Sequence, residues 1–113
     1  MQHTVESLCT EVRDLVALGV KAVILFGVPA HKDAVGSGAF DPQGIVQVAL
    51  RQLRGEFADS VVLMADLCVD EYTDHGHCGV LDAHGNVDND LTLEIYAKAA
   101  VAQANAGAHV VAP

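Results

Sequence analysis

Three aliphatic runs constrain this chain more than any other feature: Ala22 to Phe26, Val61 to Ala65, and HVVAP at 109–113. Strands that are apolar at successive positions, without polar alternation, are those buried on both faces, and that is the pattern of a parallel sheet. Each run follows a stretch with helical spacing. In SLCTEVRDLVALGV, Leu8, Val12, Leu15, Val16 and Leu18 share one helical face, and Gly19 stands where a helix stops. Asp41 and Pro42 read as the N-cap and first position of a second helix, with Ile45, Val46, Ala49, Leu50 and Leu53 turned inward up to Gly55. A third helix runs from about Asp90 through Leu93, Tyr96, Ala97 and Ala100 to Gly107.

Helix, strand, helix, strand, helix, strand predicts parallel strands joined by right-handed crossovers, so the class is α/β. An open doubly wound sheet and a slice of a (β/α)8 barrel both fit, and a whole barrel needs about 250 residues and eight strands. The expectation is a single partial barrel domain over residues 1–113, with about three strands, belonging to a longer protein. A small complete three-layer domain is the other reading. Outer strands with unpaired backbone groups predict a tendency to self-associate.

Composition narrows the partners. Fifteen acidic and six basic residues give a formal charge of −9, which repels phosphate backbones and anionic membranes. With no Trp and few other aromatics, the chain offers little stacking surface for single strands. Neither nucleic acid nor membrane is an expected partner. MQHTVESLCT lacks the basic and apolar regions of a signal peptide, and three cysteines are an odd number, so free thiols or metal ligands in a reducing cytoplasm are expected.

Two loops remain. VPAHKDAVGSGAFD, after the first run, has the composition of a long exposed connection. Its Gly36–Gly38 glycines lack a phosphate-loop pattern and read as flexibility, and Lys32, between His31 and Asp33, reads as an exposed ion pair. The second loop, about 66–89, has no helical period and is long enough that function is its expected reason.

That loop opens with ADLCVDEYTDHGHCGVL, at the carboxyl end of the second run, which in a barrel is the active-site end. Cys68 and Asp70 are two apart, so in extended chain they project to one side. Cys78 can return to them after the turn at Gly76, giving a C-x-D-x7-C set of sulfur, oxygen and sulfur donors. Three such ligands suit zinc and leave a fourth position for water or substrate, as catalytic sites do. His75 and His77 are close enough to be a further ligand or a proton shuttle. The same residues also read as two packed cysteines beneath a solvated rim of Asp70, Glu71 and Asp74; spacing alone leaves both open. Asp66, directly after the strand, reads as a barrel-mouth acid for a substrate amine or as a loop cap. Cys9 reads as core packing, and His3, His84 and His109 as surface or structural residues.

The runs LFGVPAHKDAVGSGAFDPQGIVQVAL, MADLCVDEYTDHGHCGVL and NVDNDLTLEIYAKAAVAQANAGAHVVAP resemble the porphobilinogen synthase family, also called delta-aminolevulinic acid dehydratase, over nearly the whole chain. HGHCG and VDNDLTLE are its most specific segments. The resemblance implies a TIM barrel that condenses two 5-aminolevulinate molecules into porphobilinogen with loss of two waters, on the route to haem and other tetrapyrroles, in a homo-oligomer. It implies a metal loop of the form D-x-C-x-C-x7-C, read here as Asp66, Cys68, Asp70 and Cys78, with the middle thiolate replaced by a carboxylate as in high-GC Gram-positive members. Zinc is the expected metal; magnesium, which prefers oxygen ligands, is the alternative. Asp66 takes the place of the family's catalytic aspartate, with Tyr72 and His77 as supports behind the ligands. The family's two Schiff-base lysines lie on later strands, and none of Lys21, Lys32 and Lys98 falls in a matching motif, so this chain alone is expected to be inactive. The competing expectation is a stand-alone metal-binding or interaction module.

Overall fold

A computed structural model describes all residues, Met1–Pro113. Helix α1 (Val5–Ala17) leads to strand β1 (Ala22–Leu25), a short 3-10 turn (Ser37–Ala39) and helix α2 (Ile45–Phe57). Strand β2 (Val62–Asp66), helix α3 (Asn89–Ala106) and strand β3 (Val110–Ala112) follow. The sheet order is β1-β2-β3 and both pairings are parallel.

The helices form where their sequences and caps allow. Thr4 and Ser7 cap α1 reciprocally: Ser7 N–H donates to Thr4 Oγ1 at 3.2 Å, and Thr4 N–H to Ser7 Oγ at 3.0 Å. α2 starts later than its Asp-Pro signal predicts. The Asp41 carboxylate accepts from Gln43 N–H at 2.8 Å and closes a turn, Gly44 takes the N-cap position, and Ile45 is exposed instead of turned inward. The helix also runs through Gly55 to Phe57, because Phe57 reaches the core. Asp88 caps α3, accepting from Leu91 N–H at 3.0 Å.

The core lies between the helices and one face of the sheet. Leu63 and Ala65 of β2 are fully buried against Leu50, Leu53 and Ala99 within one apolar cluster. Pleating places Ile24, Val62, Met64, Asp66 and Val110 on the other face, where Ile24, Val62 and Val110 are exposed. The strands are therefore covered on one face in this chain, not on both as their aliphatic composition predicts. Barrel strands account for the difference: helices lie on the outside only, and the inner face packs against the other strands of the barrel.

α3 departs from its predicted inward face. Ile95, Ala99, Gln103 and Ala106 are buried, while Leu93 and Ala97 face outward. Apolar residues occupy every side of this helix, so periodicity does not identify the packed one. No helix is long and apolar enough to cross a membrane.

Candidate metal centre

Past Asp66, the last residue of β2, the pleat continues. Leu67 N–H donates to Ala112 O at 3.0 Å, Leu67 and Val69 are buried, and Cys68 and Asp70 point away from the core. The chain then turns, with Tyr72 and Thr73 N–H both donating to Val69 O at 2.9 Å, and returns to place Cys78 beside Cys68. One donor atom each from Cys68, Asp70 and Cys78 lies within 4.8 Å of the others. The spacing rule thus brings together the three residues it singles out. Asp66 sits half-buried on the open sheet face at the same rim.

The electrostatics suit a cation. Burial, then the Asp70 charge, raises the Asp66 carboxyl above its ordinary range. Burial also raises Glu71, with Asp70 and Asp66 adding to it and Lys32 opposing. The Cys78 thiol is pushed up to about 11, first by its hydrogen bond with Cys68 and then by burial. Two adjacent thiols and several carboxylates repel one another as anions, and a divalent ion among them reverses that sign. Two soft sulfurs and one oxygen at this separation fit a zinc-like ion with an open coordination position.

The loop is held from two sides. On one side the β1–α2 loop forms a parallel bridge to it: Asp33 N–H donates to Tyr72 O at 3.2 Å and Asp74 N–H to Asp33 O at 3.0 Å. His75 adds a strut. Its Nδ1 accepts from His77 N–H at 3.1 Å, which leaves Nε2 to donate to Ala34 O at 3.1 Å. Neither histidine joins the three-donor cluster; His77 contributes its carbonyl, accepting from Thr73 Oγ1 at 2.9 Å, and its backbone N–H. Tyr72 is buried behind the loop and packs against the 36–38 segment.

That segment is a fitted surface rather than a flexible one. Gly36 has φ +63°, and a Cβ there would lie 3.2 Å from Val69 Cβ and 3.3 Å from Thr73 Cγ2. The Asp33 carboxylate accepts from Val35 and Ser37 N–H and from the Ser37 hydroxyl instead of pairing with Lys32.

On the other side stands α3. Thr92 Oγ1 accepts from Val80 N–H at 3.0 Å, and Gln103 Nε2 donates to Asp66 O at 2.8 Å. Between them the Tyr96 hydroxyl donates to Cys78 O at 2.9 Å and lies 3.5 Å from Cys68 Sγ. Sequence reasoning places Tyr96 among apolar helix residues and misses this contact. The available signal was a phenol in a helix otherwise rich in alanine, a group that seeks a hydrogen-bond partner when partly buried. Cys9 is in the core, as its apolar setting predicts.

Parallel strands with helices on one side and a sulfur-oxygen-sulfur cluster at their carboxyl rim make this chain a sector of a TIM-type barrel that carries a metal-competent loop. The profile of the family described as "Delta-aminolevulinic acid dehydratase" matches residues 1–113, and the chain belongs to that family. The "Delta-aminolevulinic acid dehydratase" of Streptomyces coelicolor is 56% identical over 100% of this chain and 35% of its own length. The Mycobacterium tuberculosis protein of the same description is 56% identical with the same coverage, and that of Halalkalibacterium halodurans 50% over 99% of the chain and 34% of its own. The crystal structure of the Toxoplasma gondii enzyme, in complex with the reaction product porphobilinogen, superposes with TM-score 0.89 at 35% identity, covering 95% of this chain and 31% of that one. The chain spans about a third of the length of the curated relatives it matches.

Proposed function

We propose that these residues form the metal-holding sector of a porphobilinogen synthase, which condenses two molecules of 5-aminolevulinate to porphobilinogen with loss of two waters. The observation that carries this reading is the convergence of Cys68, Asp70 and Cys78 within 4.8 Å at the carboxyl end of β2. Zinc suits two sulfur donors better than magnesium does, and one carboxylate among them makes the site harder than three thiolates would. When bound, the ion supplies Lewis acidity toward a substrate oxygen or toward water.

The chain's own groups do the rest. Asp66, on the face that a barrel turns inward, orients a substrate amine and exchanges a proton with it. Tyr72 and the Asp33–Thr73 bridge keep the ligand loop from spreading. Imine formation falls to lysines outside this set, since Lys21, Lys32 and Lys98 match no such position, so these residues alone turn over no substrate. The full protein works as a cytoplasmic homo-oligomer in this reading.

Zinc titration of the chain tests the centre: one equivalent is expected to bind, with affinity falling at least about tenfold in Cys68→Ala and in Cys78→Ala. Equal, weak binding by all three would leave the loop inert. Activity is tested by exchanging residues 1–113 for the matching third of the Streptomyces coelicolor enzyme. The chimera is expected to make porphobilinogen, and Cys78→Ala in it to abolish production; a folded, zinc-loaded chimera without product would favour a binding module over the enzyme.

A further inference from the structure

Thr92, Tyr96 and Gln103 lie on one stripe of α3, at spacings of four and seven residues, and each reaches the site loop with a polar group. Gln103 holds the carbonyl of Asp66 where the loop leaves β2, and Thr92 holds Val80 where it has passed Cys78. Tyr96 stands between them and touches both sulfur-bearing residues, ten positions apart in sequence: the Cys78 carbonyl at 2.9 Å and the Cys68 sulfur at 3.5 Å.

We propose that Tyr96 is a positioning residue for the two sulfur donors, the point at which α3 sets their separation and their donor strength toward a metal. The proposal rests on the reading of Cys68, Asp70 and Cys78 as a metal centre. Its physics is preorganisation. Cys78 is exposed, on a return segment that α3 also holds at Val80 through Thr92, and a ligand that must be ordered as the ion arrives subtracts that ordering from the affinity. A hydroxyl fixed to a rigid helix and bonded to the Cys78 carbonyl orders the segment beforehand. The same hydrogen lies within reach of Cys68 Sγ. Shared with that sulfur as a thiolate, it withdraws charge and lowers the energy of the sulfur lone pairs, which changes the spectrum of any metal they bind.

Cobalt(II) is the probe, because its sulfur-to-metal charge-transfer absorption reports thiolate ligation directly. Tyr96→Phe removes one oxygen and keeps the ring. The variant is expected to retain the melting temperature of the metal-free chain, to bind cobalt about tenfold more weakly, and to shift the charge-transfer band to lower energy. A folded Tyr96→Phe chain with unchanged affinity and band would overturn the positioning role and leave the metal centre standing. A wild-type chain with no charge-transfer band, like Cys68→Ala and Cys78→Ala, would overturn the metal centre and this role with it. Should the Phe variant fail to fold, the wild-type chain still decides: cobalt is expected to perturb the near-ultraviolet absorption of its half-buried tyrosine, and an unchanged spectrum would count against the role.

Discussion

Asp33 shows how much one exposed-loop residue can organise. Its carboxylate is held below the ordinary range, first by the Ser37 hydroxyl and then by the backbone N–H of Ser37, while its own backbone pairs with Tyr72 and Asp74. A depressed carboxyl favours the folded state only while ionised. Its contribution is complete above the unfolded value of about 3.9 and fades as pH falls through the lower folded value. Asp33→Ala is expected to cost about 1 kcal/mol at neutral pH, a modest figure because water reaches the group. Urea unfolding of both chains should show that difference closing in strong acid, and a constant difference would mean that the side chain acts through packing.

Two substitutions test the elements. Leu53 of α2 is fully buried, and Leu53→Ala is expected to remove about 3 kcal/mol, read as a lower urea midpoint with little change in slope. Gly107 ends α3 at φ +115°, with Arg54 Cγ 2.8 Å from where a Cβ would stand, so Gly107→Ala should cost at least about 1–2 kcal/mol.

At this scale the sequence was a good guide to what exists and a poorer one to which way it faces. The aliphatic runs marked every strand, and the two-residue step from Cys68 to Asp70 put both on one side because the alternation of burial outlasts the sheet ladder. The face of α3 was hidden because its apolar residues lie all round. The start of α2 was misplaced because Asp41 spends its carboxylate on the preceding turn. The partners of Tyr96 and His75 were hidden for a different reason: these contacts join segments 18 to 41 residues apart, which no local pattern encodes.

The molecule as a whole is elongated, 50 × 22 × 20 Å, with a radius of gyration of 14.6 Å against about 13 Å for a compact chain of this length. Its helical side is closed and its other side presents Ile24, Phe26 and Val110 to solvent, Phe26 at 60% exposure. Contiguous apolar surface of that kind promotes association. The 113-residue chain is expected to sediment as species that grow with concentration, and Phe26→Glu to shift it toward monomer; a wild-type monomer at high concentration would show that the face tolerates water.

The alternation of buried and half-buried residues from Leu63 to Asp70 also dictates which changes of length this rim can survive. A single residue inserted between Asp66 and Leu67 would exchange inward anchors for outward donors, driving a sulfur and a carboxylate into the apolar interior and leaving Leu67 and Val69 outside. Two inserted residues would restore the correct side but carry the donors roughly 6.5 Å further from the strand. Natural length variation in this part of the chain should therefore fall after Cys78, toward the Gly85 turn, and spare the three positions between Asp66 and Asp70.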